Sequence, residues 1–217
     1  MPSPIRICMI GAGRVGKLHT GTLTRHVPGG EVVALVDPWA DVLKTTGDLF
    51  GIERRFASLA DALEAVAFDA VVITTPTPTH RELAVLAAEQ GKHVFLEKPM
   101  ALSLPECDAI LDATRRHGVI LQMGFMRRFD PDFAAAWERI QGGEIGEPTM
   151  IKSLTHGPGL PPPWATDLKT SNGNLAEVNS HDLDTLRWLM SSNPRRIYVE
   201  VANFKGAERG VTREHFY

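Results

Sequence analysis

The sequence predicts a doubly wound α/β fold over residues 1–123, followed by a smaller α+β region over residues 124–217. In the first region, short apolar runs alternate with segments that have helical periodicity. This alternation is typical of helices that cover both faces of a parallel sheet. A glycine-rich turn joins the first apolar run directly to the first helix. The alternation ends near Gly124, which predicts the boundary between the two regions.

The elements of the first region follow in order from the apolar runs and from the turn residues between them. Six strands are predicted, at residues 5–10, 32–37, 54–56, 69–74, 94–96 and 119–123. Five helices are predicted between them, at residues 15–26, 41–50, 58–66, 80–90 and 103–117. Each helix connects two successive strands, so we expect the strands to run parallel.

The second region does not continue this alternation. Helices are predicted at residues 132–141 and 180–190, and strands at residues 148–155 and 196–204. A proline-rich loop over residues 157–164 would be either a lid over a pocket or a stiff connector.

The turn Gly11-Ala-Gly-Arg-Val-Gly16 lies between a predicted strand and a predicted helix, which is the context of the dinucleotide-binding fingerprint. Gly11 permits the tight turn, Gly13 lets the backbone approach a pyrophosphate, and Gly16 allows the helix to pack closely on the strand. The first amides of that helix would hold the phosphates. A glycine-rich turn without a ligand is the alternative. The predicted cofactor contacts in this turn are Gly11, Gly13, Arg14, Val15 and Gly16.

Asp37 ends the second predicted strand 21 positions after Gly16, close to the offset of the acidic residue that binds the adenosine ribose hydroxyls. A carboxylate there would repel the 2′-phosphate of NADP, and the next residues are Pro38 and Trp39 rather than an arginine. The pattern therefore predicts NAD, with a dual-specificity cofactor as the remaining possibility. Asp37 could instead cap the helix that follows.

A second candidate site lies where the predicted fifth strand ends in Glu97-Lys98-Pro99. Pro99 cannot donate to a sheet ladder, so the strand stops there, at the end of the sheet where open α/β folds bind ligands. Lys98 is therefore a candidate for chemistry, although the tripeptide alone is also typical of a surface turn. The proline-rich turn after the fourth strand would form a wall of the nicotinamide site, or be a plain turn. The cofactor contacts predicted at these two strand ends are Thr75, Pro76, His80, Glu97 and Lys98.

The last predicted helix of the second region brings a histidine into its first turn. Asn179 or Ser180 can cap this helix, and the positive end of its dipole would keep His181 neutral and able to accept a proton. Glu177, four residues earlier, could orient His181 or bind a hydroxyl group. An ordinary histidine near a helix cap is the alternative. The residues predicted to form the core stripe of this helix are Leu183, Leu186 and Met190, with His181, Asp184 and Trp188 on another face.

Composition and charge exclude several classes of protein. The formal net charge is −3 and basic runs are at most two residues long, so binding to nucleic acid is not expected. The two cysteines have no CxxC spacing, which argues for a reducing compartment and against a zinc site, and no metal is predicted. A secretory signal and an apolar run of about 20 residues are both missing from the sequence, so no membrane association and a cytoplasmic location are predicted.

In this order, the motifs resemble those of the glucose–fructose oxidoreductase, inositol dehydrogenase and rhizopine-catabolism (Gfo/Idh/MocA) family. The motifs are GAGRVG, the acidic end of the second strand, TPTPTH, EKP, GFMRRFDP and NGNLAEVNSHDLDTLRWL. The similarity covers essentially the whole chain and is greatest to the inositol 2-dehydrogenase-like branch. It implies a Rossmann domain followed by an α+β domain with an open mixed sheet, which this chain would contain only in part.

The resemblance also implies an activity, the NAD(P)-dependent oxidation of a secondary alcohol on a sugar or cyclitol. Lys98 matches the lysine that hydrogen-bonds the reacting oxygen, and His181 matches the catalytic histidine. Glu177 stands where the inositol dehydrogenases usually have aspartate, so substrate choice stays open. The same fold hosts NAD-dependent glycosidases and non-catalytic NAD-binding regulators, which are the alternative functions.

The chain stops where the resemblance implies that further strands of the second sheet should follow. We expect it to be a fragment or a processed chain, and the alternative is a short form whose sheet is completed by a partner. Family members commonly pair through this sheet, so a full-length form is expected to be a homo-oligomer.

Overall fold

The computed structural model of the protein describes residues 3–155 and 167–200. The chain forms two compact units, of which the first extends to Gly124 and the second begins at Phe125. Among the helices in the described ranges, none combines the length and the apolar character that crossing a lipid bilayer requires.

The first unit is built on a six-stranded sheet. Its strands, numbered along the chain, are β1 (Ile5–Ile10), β2 (Gly30–Val36), β3 (Arg55–Phe56), β4 (Ala70–Ile73), β5 (His93–Leu96) and β6 (Leu121–Met123). Every neighbouring pair is parallel, and the spatial order is β3-β2-β1-β4-β5-β6. The chain thus winds outward in both directions from β1, which confirms the predicted doubly wound fold.

Five helices connect these strands, and local signals in the sequence fix several of their ends. The helices are α1 (Arg14–His26), α2 (Ala40–Phe50), α3 (Leu59–Ala65), α4 (His80–Glu89) and α5 (Leu104–Arg116). The Ser58 hydroxyl accepts the Asp61 N–H at the start of α3, and the Glu106 carboxylate accepts the Ser103 N–H at the start of α5. Gly51 ends α2 in the left-handed conformation.

The core of the first unit has two halves because side chains alternate across the sheet. Along β1, Cys8 and Ile10 belong to one buried cluster, whereas Ile7 and Met9 belong to the other. The first cluster contains buried residues of α3, α4 and α5, namely Leu59, Ala62, Ala84, Ala87, Ile110. The second contains residues of α1 and α2, namely Leu23, Val42, Leu43, Phe50. Helices therefore cover both faces, and the strand ends are left for the loops.

The regular secondary structure in the described part of the second unit is helical. It contains a 3₁₀ turn at Met126–Phe129, α6 (Pro131–Gln141), α7 (Leu168–Ser171), α8 (Gly173–Glu177) and α9 (Ser180–Leu189). The Asp130 carboxylate caps α6 by accepting two backbone N–H groups of its first turn. The predictions of α6 and of the last helix are confirmed to within one residue.

The strand predicted at residues 148–155 is wrong, because this segment has no regular secondary structure. A strand needs a partner for its backbone groups, and the described residues of the second unit contain no other strand. Residues 196–200, the start of the second predicted strand, are also irregular. The rest of that prediction, and the loop at 157–164, lie outside the described residues.

The helices α7 and α8 were not predicted. Asn172 separates them and Gly173 begins α8, and both residue types are typical of turns. Both residues have positive φ, 58° and 69°, which interrupts the right-handed helical conformation between the two short segments. Because these turn residues interrupt the helical periodicity, the sequence pattern did not predict either helix.

Candidate active site

The glycine-rich turn between β1 and α1 combines two crowded positions with one open position. An added Cβ at Gly16 would lie 1.8 Å from the Gly11 carbonyl oxygen, so α1 can approach the turn this closely only with glycine. Gly11 has a φ of +91°, which residues with a side chain rarely adopt. At Gly13, by contrast, an added Cβ would meet no described atom within 4 Å. Packing therefore accounts for two of the glycines, and the third leaves open space at the start of α1.

The start of α1 suits an anion. Its N-cap is Gly13, which has no side chain that could accept the first amides, and its first turn contains no acidic residue. The helix dipole and these amides favour a phosphate in the open space beside the turn. Arg14, which is exposed, and Val15, which is half-buried, belong to the same first turn.

Asp37 follows β2 and is tied to the same turn. The residue is only 8% exposed, and its carboxylate accepts the Ala12 N–H at 2.9 Å through Oδ2 and the Trp39 N–H at 2.9 Å through Oδ1. The N-cap residue of α2 is Trp39, so Asp37 does not occupy the cap position that was its alternative interpretation. Each carboxylate oxygen has a second lone pair with which it can accept a ligand hydroxyl.

His80 joins the turn after β4 to the turn after β5. The residue is only 1% exposed, with Nδ1 2.8 Å from the Pro99 carbonyl oxygen and Nε2 2.9 Å from the Thr75 carbonyl oxygen. Burial lowers the pKa of the ring below its ordinary value, although both backbone contacts raise it. Both ring nitrogens of His80 contact backbone carbonyl oxygens, which leaves neither of them for a cofactor. We therefore do not propose His80 as a cofactor contact. Thr75 and the exposed Pro76 stay as predictions.

The turn after β5 holds Lys98, whose peptide bond to Pro99 is cis. Beside it, Glu97 Oε1 lies 2.7 Å from His19 Nε2, and Glu97 Oε2 accepts the Lys98 N–H at 3.2 Å. His19 lies on α1, and its ring also meets the Phe95 ring edge-on, with centroids 5.3 Å apart. The sequence pattern did not identify His19, because its partner is 78 positions away.

In the second unit, His181 occupies the first turn of α9, as predicted, and is half-buried. Glu177 is the last residue of α8 and is half-buried as well. Asn179 is the N-cap residue, but its side chain donates to the Asp182 carboxylate at 3.2 Å instead of capping the helix. The Thr185 hydroxyl donates to the His181 carbonyl oxygen at 2.6 Å, which fixes the backbone of this turn.

Two aspartates fasten α9 to the 3₁₀ turn that begins the unit. Asp182 accepts Arg127 Nη1 at 2.7 Å together with the Ser153 and Thr155 hydroxyls. Asp184 accepts two guanidinium nitrogens of Arg128, at 2.8 and 2.7 Å. Burial pushes the pKa of Asp182 upward, but the hydrogen bonds from Arg127, Ser153 and Thr155 outweigh it and lower the pKa to about 2.

The predicted core stripe of α9 is wrong, because residues that form ion pairs and hydrogen bonds are buried in place of Leu183. Leu183 is 41% exposed, whereas Asp182, Asp184 and Thr185 are buried. A helical wheel ranks carboxylates as surface groups, but a carboxylate that is paired with arginine can be buried. The sequence pattern did not identify the pairing of Arg127 and Arg128 with these two aspartates, because the partners are 55 and 56 positions apart.

Metal binding finds no support in the described ranges, where no three side chains of His, Cys, Asp or Glu are grouped so that they could hold an ion. Cys8 is fully buried, and burial raises the pKa of its thiol to about 12. The candidate groups are therefore the glycine turn with Asp37 and the Lys98 turn in the first unit, and His181 with Glu177 in the second.

Comparison with known proteins finds a matching family model for each of the two units. The family described as "Oxidoreductase family, NAD-binding Rossmann fold" matches residues 5–125, and "GFO/IDH/MocA C-terminal domain" matches residues 133–215. The chain is 40% identical over 192 residues to the scyllo-inositol 2-dehydrogenase (NAD(+)) of Bacillus subtilis strain 168. It is 31% identical over 196 residues to the myo-inositol 2-dehydrogenase of Thermotoga maritima.

These two alignments cover 88% and 90% of this chain but 56% and 58% of the relatives, so the chain spans a little over half the length of the curated relatives it matches. Among solved structures, it is similar to the scyllo-inositol dehydrogenase from Lactobacillus casei with bound NAD(H) and scyllo-inositol. The TM-score is 0.76 at 27% identity, and the match covers 87% of this chain and 57% of that one. The resemblance predicted from the motifs is confirmed. The chain belongs to the Gfo/Idh/MocA family of oxidoreductases.

Proposed function

We propose that this chain carries the NAD-binding part, and a portion of the substrate-binding part, of an oxidoreductase that transfers hydride between nicotinamide and a secondary alcohol. A cyclitol is the favoured substrate class, because relatives that are 31–40% identical are named as inositol dehydrogenases. The observation that carries the proposal is the open space at Gly13, next to the uncapped start of α1 and to the turn that Asp37 holds.

The choice of NAD over NADP rests on Asp37. Its carboxylate lies at the end of β2, against the amide of Ala12, and has lone pairs left for the two ribose hydroxyls of NAD. A 2′-phosphate at the same place would meet this negative charge. Pro38 and Trp39, which follow, supply no positive charge to neutralise a phosphate.

NAD, when bound, supplies the acceptor for the hydride that leaves the substrate carbon. Lys98, as an ammonium ion, would donate a hydrogen bond to the reacting oxygen and stabilise the negative charge that develops there. His181, in the first turn of α9, would accept the hydroxyl proton on a ring nitrogen. Glu177 would orient that ring or bind a neighbouring hydroxyl group.

The cofactor assignment is tested by calorimetric titration of the chain with NAD and with NADP. We expect NAD to bind more tightly than NADP. Asp37→Ser should reduce this difference in affinity, because it weakens NAD binding and removes the repulsion of the 2′-phosphate of NADP. Failure to bind either nucleotide, or tighter binding of NADP to the unaltered chain, would contradict the proposal.

The reaction is tested by following NADH absorbance with scyllo-inositol, myo-inositol and a panel of aldoses. NADH formation is expected. Sugar cleavage without NADH would indicate a glycosidase, and cofactor binding without turnover would indicate a regulator.

Lys98→Met should lower kcat by about 10²–10⁴ while NAD still binds. The control is Lys44→Met, which alters a side chain that is 73% exposed on α2. Equal turnover in the two variants would contradict the proposed role of Lys98. The predicted cytoplasmic location and homo-oligomeric full-length form stay predictions.

A further inference from the structure

The turn that carries Lys98 is held on each flank by a histidine from a different helix. We propose that His19 and His80 are positioning residues, which fix the Glu97–Pro99 turn so that Lys98 keeps one place at the end of β5. The inference rests on the role proposed above for Lys98. Neither histidine needs to touch substrate or cofactor to act in this way.

His19 acts on the turn through a carboxylate. Its Nε2 lies 2.7 Å from Glu97 Oε1, and the other oxygen of that carboxylate accepts the backbone N–H of Lys98 at 3.2 Å. The side chains of His19 and Glu97 are only 26% and 19% exposed, so solvent screens this contact less than it would a contact on the surface. A continuous path thus joins α1, which begins at the glycine turn, to the backbone of Lys98.

The Glu97 carboxylate has little room to leave this position. An added Cβ at Gly124 would lie 3.1 Å from Glu97 Cδ, so the carboxylate occupies the space that a side chain would otherwise fill. The Gly124 N–H donates to the Leu96 carbonyl oxygen at 2.8 Å, which fixes this wall against the end of β5. The carboxylate therefore contacts both His19 and the backbone at Gly124, and its second oxygen accepts the Lys98 N–H.

His80 holds the opposite flank. Its ring nitrogens lie 2.8 Å from the Pro99 carbonyl oxygen and 2.9 Å from the Thr75 carbonyl oxygen. Both partners can only accept, so a neutral ring donates to one of them and an imidazolium ring donates to both. In either state the ring lies between the residue after Lys98 and the turn after β4, and it is shielded from water.

The expected effect of losing either contact is a shift of the turn rather than unfolding. Neither side chain is a member of the two apolar clusters that pack the sheet. A displacement of about 1 Å at a reacting group can cost about a hundredfold in rate. We therefore expect the loss of either histidine to lower kcat much more than it lowers the affinity for NAD.

The direct test is the backbone N–H resonance of Lys98 in ¹⁵N-labelled chain, which needs no turnover. His19→Leu removes the donor to Glu97. We expect the Lys98 amide signal to move upfield and its exchange with water to become about tenfold faster. His19→Gln keeps an N–H donor and should restore most of both effects. His26→Leu, which alters an exposed histidine of the same helix, is the control. An unchanged Lys98 signal in His19→Leu would overturn the proposal.

The same measurement applies to the other flank. His80→Leu should also move the Lys98 signal, and His80→Gln, which retains one donor, should move it less. If His80→Leu does not fold, the His80→Gln variant and the His19 variants carry the test. A fall in melting temperature in the two leucine variants, with the Lys98 signal unmoved, would show an ordinary structural role and contradict the inference.

Kinetics separate this inference from the proposed function. His19→Leu should lower kcat about 10–100-fold and leave KM for NAD within about twofold, with recovery in His19→Gln. If Lys98→Met has no effect, the role of Lys98 is wrong. If Lys98→Met is impaired and the histidine variants turn over normally, the proposed function stands and the positioning role is rejected.

Discussion

Asp182 is the point where three segments of the second unit converge, and its replacement gives the sharpest test of how α9 is held. Arg127 donates to its Oδ1 from the 3₁₀ turn, Ser153 and Thr155 donate to the same oxygen from the irregular segment, and Asn179 donates to Oδ2. Asp182→Asn keeps the shape of the side chain and removes its charge. It leaves the Arg127 guanidinium beside a neutral amide.

The magnitude follows from the pKa of this carboxyl. Its ordinary value is 3.8 and its value in the folded protein is about 2, and each pKa unit corresponds to about 1.4 kcal/mol. The ionised form therefore stabilises the fold by about 2 kcal/mol. Because the pKa is lower in the folded state than in the unfolded state, this stabilisation is fully present above about pH 4. It is lost as the pH falls through about 2.

The assay is urea unfolding followed by the near-ultraviolet circular dichroism of Trp137 and Trp188. These rings stack at 5.7 Å with an interplanar angle of 11°, and both belong to the second unit. We expect Asp182→Asn to be about 2 kcal/mol less stable at neutral pH and to converge with the unaltered chain in acid. Taking the difference between the two proteins cancels the titration of the carboxyls that they share.

The control for this experiment is Glu147→Gln, which neutralises an exposed carboxylate and should change stability by no more than about 0.5 kcal/mol. A loss that small in Asp182→Asn, or a loss that stays constant from neutral pH into acid, would refute the reasoning. The first result would mean that desolvation of the carboxylate cancels its hydrogen bonds, and the second would mean that the loss of stability does not depend on the charge of Asp182.

Three further predictions concern the first unit. Gly16→Ala places a Cβ 1.8 Å from the Gly11 carbonyl oxygen, so we expect a loss of about 3 kcal/mol or more in thermal unfolding, and a loss below about 1 kcal/mol would contradict the packing of α1. Burial raises the pKa of the Cys8 thiol to about 12, so mass spectrometry after alkylation should find Cys107 labelled in the folded chain and both thiols labelled after unfolding. Burial lowers the pKa of His80 below 6.5, so its neutral form stabilises the fold above pH 6.5, and this contribution is lost as the pH falls through the folded pKa. In chemical unfolding, His80→Gln should therefore reduce the decrease of stability with falling pH below 6.5. An unchanged pH dependence of stability in this variant would contradict the lowered pKa of His80.

Much of the first unit could be predicted from the sequence, because its signals act over short distances. All six strands were predicted, five of them from apolar runs, and the flanking Ser58, Ser103 and Gly51 fix the ends of helices through contacts with residues only a few positions away. The glycine turn and Asp37 were identified by spacing alone, and the structure brings them together through the Ala12 N–H. The predicted strand at residues 148–155 failed because a strand depends on a partner elsewhere in the chain.

The sequence by itself determined the alternation of strands and helices, the glycine turn, the acidic end of β2 and the candidates Lys98 and His181. Tertiary structure alone decided which distant groups meet. His19 reaches Glu97 across 78 positions, and Arg127 reaches Asp182 across 55, so no local pattern contains either pair. The physical reason is that periodicity and turn chemistry act within a few residues. Contacts between polar side chains are fixed only when the sheet register and the helix packing bring their elements together.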